Sequence, residues 1–265
     1  MKLRALVFGL LAAAFSMGTT LAQDWAKAQL ENSPRHHEWV DLKHGNRTVK
    51  TFVVYPEVKM KAPVVLVIHE IFGLTDWAKN LADELAAAGY IAIVPDLLSA
   101  PGKDTSSYPD QDAAVKAISA LPAAQVFADL DAAAEYAAKL PPGNGALAVT
   151  GFCWGGGKAF GYANHNPKLK AAYVFYGPGP EIAADVTKIA CPVYGFYGED
   201  DARIGATIPK TKEIMQAAGK TYEPVIYPGA GHGFMRAGEA PDASEANRKA
   251  HDSAWERWKA LLKKL

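Results

Sequence analysis

From Ala62 onward the chain alternates short, unbroken apolar runs with helix-length stretches, and this alternation limits the fold more than any other feature. The runs cover residues 64–68, 91–94, 147–150, 171–175, 193–197 and 224–227. A strand with one wet face alternates polar and apolar residues. A run that is apolar throughout is buried on both faces, as the strands of a parallel sheet are. Between the runs, Asp76 caps a helix with Leu81 and Leu85 on one face, stopped by Gly89. Residues 123–140 place Val126, Leu130, Ala133 and Ala134 at helical spacing and end at Pro141-Pro142-Gly143. Helices over 207–218 and 242–264 follow, the last with Trp255, Trp258 and Leu262 as its inner face. Upstream, residues 38–42 and 48–55 alternate around Lys43-His44-Gly45-Asn46 and read as an antiparallel hairpin. Residues 24–35 read as a polar leader and 99–110 as the only long loop. The predicted fold is α/β: a three-layer sandwich on a mostly parallel sheet with an antiparallel N-terminal hairpin. No repeat or linker divides residues 23–265, which read as a single domain.

Residues 1–22 stand apart from this pattern. Lys2 and Arg4 precede an apolar run over 5–15, and Thr20-Leu21-Ala22 puts small residues at −3 and −1 of a cleavage site. That is the pattern of a signal peptide, too short for a stable membrane anchor. The expected mature chain begins at Gln23, is periplasmic or secreted, and has no membrane association. Losing Lys2 and Arg4 moves the formal net charge from 0 to −2. With no basic run to track phosphates, nucleic acid is not an expected partner, and the chain is expected to be monomeric.

The sharpest chemical signal is Gly151-Phe152-Cys153-Trp154-Gly155-Gly156, between a predicted strand and the helix after it. A nucleophile elbow needs small residues two before and two after the nucleophile, because the turn is tight and its backbone strained. Gly151 and Gly155 meet that need. The turn would lift Cys153 to the strand end and face it to the next helix's N-terminus, where the dipole and a nearby imidazole favour a thiolate. The plainer reading is a glycine-rich junction around a buried cysteine; the spacing does not fit a dinucleotide fingerprint. Tyr197-Gly198-Glu199-Asp200-Asp201 follows another apolar run, and Asp201 is the carboxylate expected to orient an imidazole, against the plainer reading of a solvated acidic turn. His232 lies in Pro228-Gly229-Ala230-Gly231-His232-Gly233-Phe234, on a loop after the last run. His36, His37, His44, His165 and His251 fall in the leader, the hairpin turn or helix surfaces. His69-Glu70 lacks the spacing of a zinc motif, so no metal or cofactor is expected. Cys191, inside an apolar run, reads as a small hydrophobe rather than a disulfide partner. Nucleophile, acid and histidine therefore occur in that order, each after its own strand, which is the order of the α/β-hydrolases.

On these motifs, with His69-Glu70-Ile71-Phe72-Gly73 and Pro95-Asp96-Leu97, the chain resembles the dienelactone hydrolase (carboxymethylenebutenolidase-type) family from about Val53 to the C-terminus. The resemblance implies a Cys153–His232–Asp201 triad and a role for Glu70 in activating the thiol. It also implies an oxyanion hole of the Ile71 and Trp154 N–H groups, and substrate contacts from Phe72 and Arg236. A second carboxylate-binding arginine is implied just after Pro95-Asp96-Leu97, yet the sequence continues Leu98-Ser99-Ala100; Arg203 is a substitute or a surface residue at a helix start. The function so read is hydrolysis of a small ester or lactone through a thioester acyl-enzyme. Alternatives are a peptidase or thioesterase on the same scaffold, or a non-catalytic small-molecule-binding homologue.

Overall fold

The computed structural model describes residues 23–265; the expected signal peptide, residues 1–22, lies outside the described residues. Eight strands form one sheet in the order β1-β2-β4-β3-β5-β6-β7-β8. They are β1 (His37–His44), β2 (Arg47–Val54), β3 (Ala62–Ile68), β4 (Ile91–Pro95), β5 (Gly143–Phe152), β6 (Ala171–Phe175), β7 (Val193–Gly198) and β8 (Tyr222–Tyr227). β1 pairs antiparallel with β2, and β2 antiparallel with β4; every later pair is parallel. The helices are α1 (Asp24–Glu31), α2 (Asp76–Ala87), α3 (Gln111–Ser119), α4 (Ala123–Lys139), α5 (Trp154–His165), α6 (Ala202–Gly205), α7 (Ile208–Ala217), α8 (Phe234–Glu239) and α9 (Glu245–Leu262).

The central strands feed two cores because successive side chains point to opposite faces. From β3, Val65 and Val67 join Trp77, Leu81 and Leu85 of α2 and Trp258 of α9. Val64, Leu66 and Ile68 join Leu130 of α4, Phe160 of α5 and Met215 of α7. Helix layers on both faces of one sheet make the three-layer α/β sandwich. Each large apolar side chain so enclosed contributes about 1.5–3 kcal/mol. The strand order reverses at β3: the chain steps from β3 to β4 on one side, then returns to place β5 on the other. A crevice opens at the carboxyl ends of strands at such a switch point.

Several local expectations change. The supposed polar leader contains α1, whose Ala26 is fully enclosed and whose Gln29 Oε1 accepts from Asn80 Nδ2 at 2.9 Å. So short a helix draws its stability from docking on α2 rather than from its own sequence. Thr75, not Asp76, caps α2 by accepting from the Ala78 N–H. α3 emerges from a stretch that carried no helix expectation, capped by Asp110 and burying Ala114 and Ile118. The 99–110 loop is pinned rather than free: Asp96, 2% exposed, accepts from Leu98 N (3.0 Å), Thr105 N (2.7 Å) and Thr105 Oγ1 (2.8 Å). His37 and His44 are tied by contacts of 2.8 and 2.6 Å to Asp83 and Asp129.

Candidate active site

Cys153 sits between β5 and α5 with φ 56° and ψ −118°, a backbone conformation that side-chain-bearing residues rarely adopt. The flanking glycines are dictated by contact. A Cβ on Gly151 would lie 2.0 Å from the Gly155 carbonyl oxygen, and one on Gly155 would lie 2.4 Å from the carbonyl oxygens of both Ile68 and His69. The elbow is thereby pressed against the end of β3, and the Cys153 N–H donates to the Phe175 carbonyl at 3.0 Å.

His232 and Asp201 arrive from neighbouring strand ends. Asp201, 7% exposed, divides its carboxylate: Oδ1 accepts from the Ile204 N–H at the start of α6, and Oδ2 lies 2.5 Å from His232 Nδ1. Asp200 and Glu199 are exposed, and Glu199 is spent on the Gly229 N–H. The two loops meet at backbone distance, since a Cβ on Gly198 would lie 2.4 Å from the Ala230 carbonyl oxygen. With Nδ1 taken by Asp201, the opposite nitrogen of His232 is the one left to serve Cys153. Burial pushes the His232 pKa down, but the hydrogen bonds with Cys153 and Asp201 outweigh it and lift the value to about 9.

Just past β3, Glu70 is 3% exposed and its Oε2 accepts from Arg236 Nε at 2.7 Å. The Arg236 guanidinium lies 5.4 Å from the centre of the Phe72 ring. Burial works against its charge, but Glu70 and, more weakly, Tyr176 and Cys153 favour it. Among the described residues, the N–H groups of Ile71 and Trp154 have no protein acceptor. Both residues border a cavity of about 680 Å³ that also takes in Cys153, Tyr176, Lys158 and Arg203. Glu70, Phe72 and Arg236 are outside its wall; Arg236 borders a separate depression between the start of α1 and the α8–α9 turn.

Sequence reasoning passed over Tyr176 and Lys158. Tyr176 follows β6 directly, has φ 38°, and packs its ring edgewise on His232 at 5.1 Å. Its hydroxyl is buried without a protein partner. Its position at a strand end is the signal that could have found it. Lys158 lies over the Trp154 ring at 5.1 Å, and burial pushes its pKa down. Both cysteines are free, and among the described residues no group of three or more metal-ligating side chains could hold an ion.

An eight-stranded, mostly parallel sheet that starts antiparallel, with strand-end loops converging on one elbow, is the architecture of an α/β-hydrolase. Residues 49–265 match the model of the dienelactone hydrolase family. A protein of Methylorubrum extorquens provisionally named carboxymethylenebutenolidase is 40% identical over 65% of this chain, which spans 63% of that protein's length. One of the same name from Salmonella typhimurium is 37% identical over 74% of each chain. The crystal structure of a provisionally named dienelactone hydrolase from Klebsiella pneumoniae superposes with a TM-score of 0.77, at 32% identity, over 87% of this chain and 99% of that one. The chain belongs to the dienelactone hydrolase family, a family of hydrolases.

Proposed function

We propose that the chain hydrolyses small esters or lactones through Cys153, with His232 as its acid–base partner and Asp201 orienting the imidazole. One arrangement carries the reading. A thiol on a strained elbow at a helix N-terminus interacts with an imidazole, raising its pKa, and the Nδ1 of that imidazole meets a buried carboxylate. The thiolate adds to the substrate carbonyl, forming the S–C bond while the π pair moves to oxygen. That oxyanion faces the N–H groups of Ile71 and Trp154, the latter at the N-terminus of α5. On collapse the C–O bond to the alcohol breaks, and the His232 imidazolium supplies the alcohol's proton. In a lactone the alcohol stays tethered to the acyl group. The thioester no longer carries the negative charge that held the proton on His232, so the imidazole is now a base. It takes a proton from water, the hydroxide adds to the thioester, and collapse expels the thiolate and frees the acid.

Glu70 is the second carboxylate assigned to thiol activation, held ready by Arg236. Arg236, over the Phe72 ring, is the proposed contact for a substrate carboxylate that reaches past the Cys153 cavity, whose wall neither residue forms. The relatives named for carboxymethylenebutenolide hydrolysis suggest a lactone of that kind. After Pro95-Asp96-Leu97 no arginine supports Arg236, and Ser99 there is buried with its hydroxyl on the Asp96 carbonyl; Arg203, which borders the Cys153 cavity, is the arginine placed to substitute. The 99–110 loop, which a peptidase would need as a groove wall, does not border the Cys153 cavity. Residues 1–22 are assigned to export, tested by cell fractionation for a processed periplasmic form.

The deciding experiment compares wild type and Cys153→Ala, under reductant, on p-nitrophenyl acetate and cis-dienelactone. Cysteine-dependent cleavage is expected, and undiminished turnover by a folded Cys153→Ala variant would sink the reading. Cleavage of the aryl ester alone would keep the mechanism and set dienelactone aside.

A further inference from the structure

The mechanism leaves one buried histidine unused. His69 is fully enclosed at the end of β3, next to Glu70 and Ile71. Its Nδ1 lies 2.8 Å from the Glu70 carbonyl oxygen, and the Leu97 N–H points to its Nε2 at 3.2 Å. A carbonyl oxygen only accepts and an amide N–H only donates, so the tautomer follows: the proton is on Nδ1 and Nε2 is bare. The ring also lies nearly parallel to the Trp154 indole, 6.2 Å between centres and tilted by 16°.

The consequence lies in the peptide between Glu70 and Ile71. Its six atoms are coplanar and trans, so the Glu70 C=O and the Ile71 N–H point in opposite directions. Whatever holds one aims the other. We infer that His69 is a positioning residue for the oxyanion hole, setting the direction of the Ile71 N–H by holding the Glu70 carbonyl and bracing Trp154 on its ring face. The Gly73 N–H reaches the same carbonyl at 3.2 Å and shares this task. The bond from Leu97, just past β4, keeps the imidazole from rotating out of line. Burial pushes the His69 pKa down, which keeps the neutral ring this geometry requires. The inference rests on Ile71 and Trp154 being the oxyanion donors.

The test separates oxyanion stabilisation from thiol reactivity. Ester hydrolysis passes through an oxyanion; alkylation of Cys153 by iodoacetamide forms none. In His69→Leu, kcat for p-nitrophenyl acetate should fall about 10- to 100-fold with KM little changed, since one oxyanion donor is loosened rather than lost. The alkylation rate should stay near that of wild type. His69→Gln, with a donor and an acceptor in one side chain, should recover part of kcat. Unchanged hydrolysis in a folded His69→Leu variant would overturn the inference, as would hydrolysis and alkylation falling together. If the Leu variant does not fold, the Gln variant is read by the same pair of assays, and a parallel change again overturns it. A Cys153→Ala control that still turned over ester would instead remove the nucleophile reading itself.

Discussion

At the level of single residues, the proton on His232 ties the site's electrostatics to its chemistry. Burial opposes the charge, while hydrogen bonds with Cys153 and Asp201 overcome that opposition. Because part of the support comes from the thiol, Cys153→Ala should lower the His232 pKa from about 9, read by NMR titration of the ring. An unmoved pKa would mean that the two groups are not paired. Linkage gives a second reading. A histidine whose folded pKa is raised above its ordinary 6.5 stabilises the fold fully below that value, and the contribution fades as pH rises through about 9. His232→Gln should therefore cost more stability at pH 6 than at pH 10, measured by urea unfolding. Asp201→Asn should leave the fold intact and lower kcat by about 1,000-fold or more, because the imidazole loses both its orientation and its counter-charge. A loss of only a few-fold would remove Asp201 from the orienting role.

Among elements, the contact between β3 and α5 sets the distance between the two N–H groups beside Cys153. Gly155 is the point of contact, and the atoms a Cβ would meet are backbone carbonyls that have no flexible end to give way. Gly155→Ala should lower stability by about 1–3 kcal/mol and reduce kcat, as α5 is pushed off the end of β3. Wild-type stability and kcat in that variant would mean the contact is slack. This junction was legible in the sequence because tight turns demand specific residue types: Gly151 and Gly155 announced the elbow. The parallel strands were legible too, since burial on both faces leaves unbroken apolar runs. Less legible was whatever depends on partners distant in sequence. α1 is a helix because α2 covers it, and nothing between Asp24 and Arg35 signals that. Asp201 was separable from Asp200 and Glu199 only by preference; burial and the His232 contact distinguish them in space. Arg236 was indicated only through the family resemblance, and its ion pair with Glu70 spans 166 residues of sequence. Tyr176 was overlooked because an aromatic residue after an apolar strand reads as more core. His69 was set aside because a lone histidine beside an acid is not a zinc motif, and its two backbone contacts cannot be read from neighbours in the chain.

At the scale of the whole molecule, the helix layer that carries Arg236 encloses a second set of charges. Glu84 of α2, Glu239 of α8 and His251 of α9 converge where these three helices meet. His251, which the sequence placed on a surface, has Nε2 3.2 Å from Glu239 Oε1. Trp77 Nε1 donates to the same oxygen at 3.3 Å, and Asn80 Nδ2 reaches Glu84 Oε1 at 3.4 Å. The outer carboxylate oxygens of Glu84 and Glu239 are sealed without protein partners. Burial and, next, the charge of Glu239 push the Glu84 pKa up to about 8, against a weaker pull down from His251. An acid with a raised folded pKa loses stability as pH rises. Below its ordinary value of 4.5 both states are protonated and nothing is lost; between 4.5 and about 8 the unfolded chain sheds its proton while the folded one keeps it. Above that window the folded protein carries the full cost of a buried, repelled charge. Glu84→Gln removes the titration while keeping the shape and the acceptor for Asn80. It should therefore match wild type near pH 4 and exceed it at pH 8 by on the order of 1–3 kcal/mol in urea unfolding. Equal stability at both pH values would mean that the cluster is open to solvent. Because α8 holds both Glu239 and Arg236, the same comparison made on kcat asks whether charge in this layer reaches the Glu70 pair. An ester-hydrolysis profile that shifts with Glu84→Gln between pH 6 and 8 would show that it does, and superimposable profiles would confine the cluster to stability.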